Sequence, residues 1–241
     1  NNNAVIIHCA ANTSIDDCEK NPKFAYETNV QISKNLAKVC FKLGLKLVHI
    51  STDHLFSGAS SFYSECSEIC PQNVYGDSKA KAEINVMNEN PDSLIIRTNF
   101  FCWGTPYRIS FSDFLINSIR EKKKIFLYTD IFYTPIYVKN LIEFVHLLID
   151  SSSAGIYNIV SNERLSKYDF GKRVFGKFSG DICMVIEAEY KNQIQMIKKP
   201  LDMSLSNDKL LLSLSSNMES LGDQIEQLKL DETDFKKALS F

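Results

Sequence analysis

Leu45-Lys46-Leu47-Val48-His49-Ile50-Ser51-Thr52 decides the fold. The run has strand length, is dominated by aliphatic residues and ends in two hydroxyl side chains. Just upstream, Gly44 supplies a helix stop, and Ile32, Leu36, Val39 and Leu43 recur at helical spacing before it. Asn21-Pro22 opens that helix as an N-cap followed by Pro at the first helical position. Further upstream, Ala4-Val5-Ile6-Ile7-His8-Cys9-Ala10-Ala11 reads as a parallel strand buried on both faces. The three together make a strand-helix-strand unit, whose crossover is right-handed.

Downstream the alternation continues after a polar loop containing Gly58 and Pro71. A helix is expected over Tyr75–Asn90, a strand over Leu94–Thr98, and a helix over Ser112–Lys123 with Phe114, Leu115 and Ile119 on one face. Strand Ile125–Tyr128, helix Asn140–Asp150 and strand Gly155–Val160 complete a mostly parallel α/β sheet. Beyond residue 160 the character changes. Ser166-x-x-Asp169 has the form of a capping box starting a helix to Phe178, and a strand near Cys183–Ala188 and a terminal helix imply a smaller α+β lobe.

Composition excludes several classes of function. At 44% hydrophobic and 23% charged, 241 residues describe an ordinary globular chain rather than a disordered or fibrous one. The net charge of -2 and a single basic run, Lys122–Lys124, give no footprint for nucleic acid, and that run reads as the solvated end of a helix. The longest strongly apolar stretch, Leu141–Ile149, is interrupted by Glu143 and His146, so no membrane span is expected. Seven cysteines without a CxxC pair suit buried thiols in a reducing, cytoplasmic compartment. The spacing of His and Cys offers no metal site.

Thr52 stands at the carboxyl end of a parallel strand, where open α/β sheets bind their ligands. Tyr75 and Lys79 lie four residues apart on a helix, so phenol and ammonium project from one face. A cation there would favour phenolate and lower the Tyr75 pKa, making it a usable acid or base. If hydride is delivered to a ketone carbon, donors from Thr52 and Tyr75 can stabilise the charge that develops on oxygen. The spacing recurs at Tyr168 and Lys172, which lack a hydroxyl-tipped strand upstream and read as a surface helix pair.

The segments Ser51-Thr52-Asp53, Asn73-Val74-Tyr75-Gly76-Asp77-Ser78-Lys79-Ala80-Lys81-Ala82-Glu83 and Ile96-Arg97-Thr98 together resemble the extended short-chain dehydrogenase/reductase superfamily, specifically the dTDP-4-dehydrorhamnose reductase family. His8 to Asp16 with Glu19, Pro22 and Asn29, and Lys199-Pro200 followed by Leu205, are similar to further elements of it. The resemblance implies a Rossmann-type doubly wound sheet, with residues 1–160 the carboxyl-terminal part of a dinucleotide-binding domain and 161–241 a substrate lobe. It implies Thr52, Tyr75 and Lys79 as catalytic residues, with Tyr75 the proton donor. Ala10, Ala11, Asn12, Thr13, Tyr75, Lys79 and Phe100 would line NADPH or NADH. Thr13, Ile15, Thr52 and Asp53 would meet a nucleotide-linked sugar, and the protein could form a homodimer.

The chain departs from that family in two places. Asp130-Ile131-Phe132-Tyr133-Thr134-Pro135-Ile136 is more apolar than the corresponding motif, which usually carries Gln and Gly ahead of Pro-Thr, so the substrate could differ. No Gly-rich turn suited to a pyrophosphate precedes the Val5 strand. The expectation is therefore that the chain begins at the fourth strand of a 3-2-1-4-5-6 sheet and continues a longer protein, leaving that strand as an edge. His54, where sugar-nucleotide dehydratases commonly place Glu, favours reduction over dehydration. Competing readings are an epimerase using the same three residues, and a non-catalytic regulatory subunit like that of methionine adenosyltransferase.

Overall fold

A computed structural model of the protein describes residues 4–105, 107–191 and 197–238. The chain enters β1 (Val5–His8), then a short helix α1 (Ile15–Lys20) capped by Ser14. Helix α2 (Pro22–Tyr26), a π-helical turn (Glu27–Gln31) and α3 (Ile32–Leu43) run on as one rod, which stops at Gly44 in the left-handed conformation. β2 (Lys46–Ile50), α4 (Val74–Glu89) and β3 (Leu94–Arg97) follow. Next come β4 (Phe100–Phe101), α5 (Phe111–Arg120), β5 (Ile125–Tyr128), β6 (Phe132–Tyr133), β7 (Ile136–Tyr137), α6 (Val138–Asp150) and β8 (Gly155–Asn158). The remainder is β9 (Leu165–Ser166), α7 (Lys167–Lys177), a 3-10 turn, β10 (Val185–Ala188), and helices α8 (Asp208–Leu214), α9 (Leu221–Leu230) and α10 (Glu232–Ala238).

β1, β2, β3 and β8 form a parallel sheet in that order. Alternate side chains serve opposite faces, as a pleated strand requires. Leu47 and Ile95 pack with Ala37, Cys40 and Val86 of α3 and α4. Val48, Leu94 and Ile96 pack on the other face with Leu141, Phe144 and Leu148 of α6 and Leu210 of α8. Helices thus cover both faces, as expected for a doubly wound fold. β1 is the edge among the described strands, and it is less buried than its apolar sequence suggested: Ile7 is 48% exposed.

A second core gathers Phe101, Trp103, Leu115, Ile116, Ile125, Leu127, Phe170, Phe175, Val185, Leu221 and Ile225. Here one expectation is corrected. β5 does not extend the central sheet; it pairs in parallel with β10, which lies far along the chain. The local pattern announced a buried strand but could not say which partner would bury it. The face of α5 is also corrected: Leu115 and Ile116 are buried, whereas Phe114 is 41% exposed. The capping box at Ser166 and Asp169 forms as expected, and Lys122–Lys124 lie exposed just past α5.

Candidate active site

The tip of β2 is fixed from beneath before any reactive group is placed. Ser51 N–H donates to the Ile96 carbonyl at 2.7 Å, and its hydroxyl donates to Glu83 of α4 at 2.5 Å. Arg97, the last residue of β3, binds Glu83 through Nη2 at 2.7 Å and Nε at 3.1 Å. Both charges are buried, so each depends on the other for its solvation. This network ties two strand tips to one helix and holds Thr52 and Asp53 at the sheet's carboxyl end.

The helix bearing the reactive groups is seated equally firmly. Asn73 caps α4 by accepting from Gly76 N–H at 2.9 Å, and its amide donates to the Lys198 carbonyl at 3.0 Å. Glu19 accepts from Val74 N–H at 2.7 Å. A Cβ on Gly76 would stand 2.4 Å from the His54 carbonyl oxygen, so only glycine lets the first turn of α4 lie against the Thr52–His54 segment. That close approach brings Tyr75 to Thr52.

Thr52, Tyr75 and Lys79 are all buried. The Tyr75 phenol lies beside Thr52, which opposes the rise in its pKa, and the His54 ring meets the Tyr75 ring edge-on at 5.6 Å. The Thr52 hydroxyl also lies 3.3 Å from both Asp53 Oδ1 and the His54 N–H. Asn99 holds the other Asp53 oxygen at 2.6 Å. Lys79 donates to the Ile50 carbonyl at 2.7 Å and lies 3.4 Å from His49 Nε2.

The expected lowering of the Tyr75 pKa is corrected. Burial pushes the phenol up to about 12, against a smaller opposing pull from Thr52. The ammonium one turn away points to the Ile50 carbonyl, and it is itself lowered to about 8 by burial, opposed by Glu83 and Cys9. Tyr75 is therefore a neutral phenol at pH 7, fitted to give a proton rather than to take one. His49 is held well below its usual value by burial and by Lys79, and His54 is lowered by burial.

The remaining expected residues lie around the end of β1. Asn29 sits in the π-helical turn, a local widening that aims its amide inward. It accepts from Asn12 N–H at 2.7 Å and donates to the Asn12 carbonyl at 3.0 Å and Ser78 at 2.9 Å, locking the Asn12 backbone to α4. Ile15 packs with Tyr75, Cys18 and Ala25. Ala10 is exposed and Ala11 and Thr13 are half-buried, leaving the backbone there open to a flat ring. Phe100 is 46% exposed on β4, outside the hydrogen-bond network of Thr52, Tyr75 and Lys79. Small residues at a strand tip and a buried lysine fit the nicotinamide end of a dinucleotide.

Comparison with known proteins bears on family and fold. Residues 1–230 match the family described as RmlD substrate binding domain. The chain belongs to this family. It is 27% identical to a probable low-salt glycan biosynthesis reductase, Agl14, of Haloferax volcanii, over 96% of this chain and 78% of that protein. It is 33% identical to methionine adenosyltransferase 2 subunit beta of Xenopus tropicalis, over 68% of this chain and 52% of that one, so it spans about half of that relative. The solved dTDP-4-dehydrorhamnose reductase of Bacillus anthracis, in complex with NADP, superposes with a TM-score of 0.87 at 28% identity, covering 94% of this chain and 80% of the other.

The fold packs further residues beside the expected ones, and of these the sequence had singled out only His54, for its bearing on dehydration. His54 and Asn99 directly follow Ser51-Thr52-Asp53 and Arg97-Thr98, and their position beside those motifs was the available signal. Lys167 and Tyr133 had none. Lys167 reads as an ordinary first residue of a capped helix, and Tyr133 as one of several apolar residues in Asp130–Ile136.

Proposed function

We propose that this chain reduces the 4-keto group of a nucleotide-linked deoxysugar with NADPH or NADH, as a dTDP-4-dehydrorhamnose reductase does. The observation that carries this is the buried Tyr75 phenol, one helical turn from Lys79, packed against the Thr52–His54 segment at the carboxyl end of the parallel sheet. The likeness to two proteins described as reductases, one of them solved with NADP, supports it. In this reading Thr52, Tyr75 and Lys79 are the catalytic residues. Ala10, Ala11, Asn12, Thr13 and Phe100 face the cofactor, and Thr13, Ile15 and Asp53 face the sugar. Residues before about 160 form the larger lobe, from which α5 and β5 join residues 161–241 in the substrate lobe.

When bound, the reduced nicotinamide supplies the hydride. The protein's part begins with the carbonyl oxygen, which Thr52 and Tyr75 receive as two donors placed before charge develops on it. An alkoxide is a much stronger base than a phenolate, so proton transfer from a phenol at about 12 runs downhill. Lys79 anchors the α4 side of the site through the Ile50 carbonyl. Asp53, held by Asn99, accepts from the Thr52 hydroxyl, which turns from it to donate to the substrate oxygen. The expectation of buried thiols holds only for Cys18 and Cys40, since Cys9, Cys66, Cys70 and Cys183 are exposed; all seven are free, which suits a reducing compartment, and we place the reaction in the cytosol.

The test is turnover of the full-length protein with a dTDP-4-dehydro-6-deoxysugar, followed by nicotinamide absorbance and product analysis. Stoichiometric loss of reduced cofactor with appearance of the 4-hydroxy sugar is expected. An epimerised ketone with the cofactor unchanged would replace this reading with epimerase chemistry. Tight binding without turnover would favour the regulatory reading that the Xenopus similarity supports.

A further inference from the structure

Leu47 and Ile95 carry the α3/α4 face of the central sheet, packing on Ala37, Cys40 and Val86. One row nearer the strand tips, that face stops being aliphatic. His49 follows Leu47 on the same side of β2, and the strand register sets His8 of β1 beside it. The two rings lie 5.3 Å apart and tilted by 39°, with His8 6% and His49 1% exposed. Ser33 of α3 and Lys79 of α4 meet them from the helices, so a buried polar layer stands where aliphatic side chains would continue the core.

The direction of each hydrogen bond fixes the tautomers. An ammonium only donates, so His49 Nε2, 3.4 Å from Lys79 Nζ, is the acceptor and the ring proton sits on Nδ1. The Ser33 hydroxyl gives its one hydrogen to the Asn29 carbonyl at 2.7 Å, so His8 Nε2, 2.9 Å away, donates to the Ser33 oxygen. Burial and the Lys79 charge hold both imidazoles below their usual value. Adjacent neutral rings thus carry their protons on opposite nitrogens. His49 Nδ1 is buried and has no hydrogen-bond partner among the described residues. An unpaired buried N–H makes histidine a poor choice for a core position, and what the ring supplies in return is the acceptor at Nε2. Lys79 is 3% exposed, and its other acceptor among the described residues is the Ile50 carbonyl at 2.7 Å. Two of the three ammonium hydrogens are held in this way, and one is left.

We propose that His49 is a positioning residue for the reaction: with the Ile50 carbonyl it fixes the Lys79 ammonium by two hydrogens and leaves the third for the bound cofactor, while His8, anchored on Ser33, braces the His49 ring. The functional consequence rests on the reductase reading above, whereas the tautomers rest on the hydrogen-bond geometry alone.

Two measurements test it. In heteronuclear NMR of the imidazole nitrogens at pH 7.5 without cofactor, His49 should carry its proton on Nδ1 and His8 on Nε2. A His49 protonated on Nε2, or on both nitrogens, would overturn the proposal. The second measurement is calorimetric titration of the full-length protein with NADPH. His49→Leu should weaken binding about tenfold, the loss of one hydrogen bond to a charged group. Added to Lys79→Met it should weaken binding no further, because the histidine acts through the lysine. His49→Gln, whose terminal oxygen reaches the place of Nε2, should bind within about threefold of the wild type. His49→Asn, one methylene shorter, should behave like the Leu variant, and it serves if that variant does not fold. Leu and Asn variants that bind like the wild type, or losses from His49→Leu and Lys79→Met that multiply, would overturn the proposal. Failure of the wild type to bind NADPH would instead defeat the reductase reading, and the tautomers would then decide alone whether His49 holds Lys79.

Discussion

Burial sets the direction of chemistry at each reactive side chain, and it does so with opposite sign for phenol and ammonium. Tyr75 is raised to about 12, above its ordinary 10, so the folded protein holds that proton more tightly than the unfolded chain does. Its contribution to stability is present below pH 10 and is lost as pH rises toward 12. Lys79 is lowered to about 8 from 10.5, so between those values the unfolded chain binds the extra proton and stability rises with pH. Urea unfolding at pH 7.5 and 9.5 should show Lys79 adding about 2 kcal/mol at the higher pH, a gain absent from Lys79→Met. Equal pH dependence of the two proteins would show that Lys79 is not buried as a charge. The positions of Thr52, Tyr75 and Lys79 were legible in the sequence because a strand tip and a four-residue helical spacing fix them locally. The sign of the Tyr75 shift was not, because it depends on where the Lys79 amine points and on how dry the phenol is.

At the scale of elements, the site depends on three joints: the tip of β2, the tip of β3 and the first turn of α4. Glu83 and Arg97 join them in the interior, and Ser51 adds a hydroxyl to the same carboxylate. Removing one partner strands the other charge, so Arg97→Met should cost about 3–5 kcal/mol in denaturant unfolding. It should also lower turnover in the fraction that remains folded, because Thr52 loses its footing. A loss under about 1 kcal/mol would show that the pair is dispensable. The central strands and α4 were legible because continuous apolar runs and Asn73, Gly44 and Pro22 mark their ends. The short helices α1 and α8 were not expected, since one turn or two carries little periodicity. Nor did any local pattern mark the π-helical turn that aims Asn29.

For the whole molecule, two cores meet at the site. The central sheet and α4 supply Thr52, Asp53, Tyr75 and Lys79, while the second core packs Tyr133 under the start of α7. Contacts from distant parts of the chain fasten the molecule: Asn73 to Lys198, Thr134 to Leu205, and, within the second core, Gln224 to Tyr137. Such contacts leave no mark in a local pattern, which is why the part of the site contributed by the sheet could be read in advance and the packing of the second core could not. The central claim is that one substrate oxygen is held jointly by a phenol and a threonine hydroxyl. A double-mutant cycle on kcat with Tyr75→Phe, Thr52→Val and the pair tests it most directly. The account predicts about a hundredfold loss or more from Tyr75→Phe, a smaller loss from Thr52→Val, and a double variant little worse than Tyr75→Phe alone, because the two act as a unit. Undiminished kcat in Tyr75→Phe, or losses that simply multiply, would contradict it.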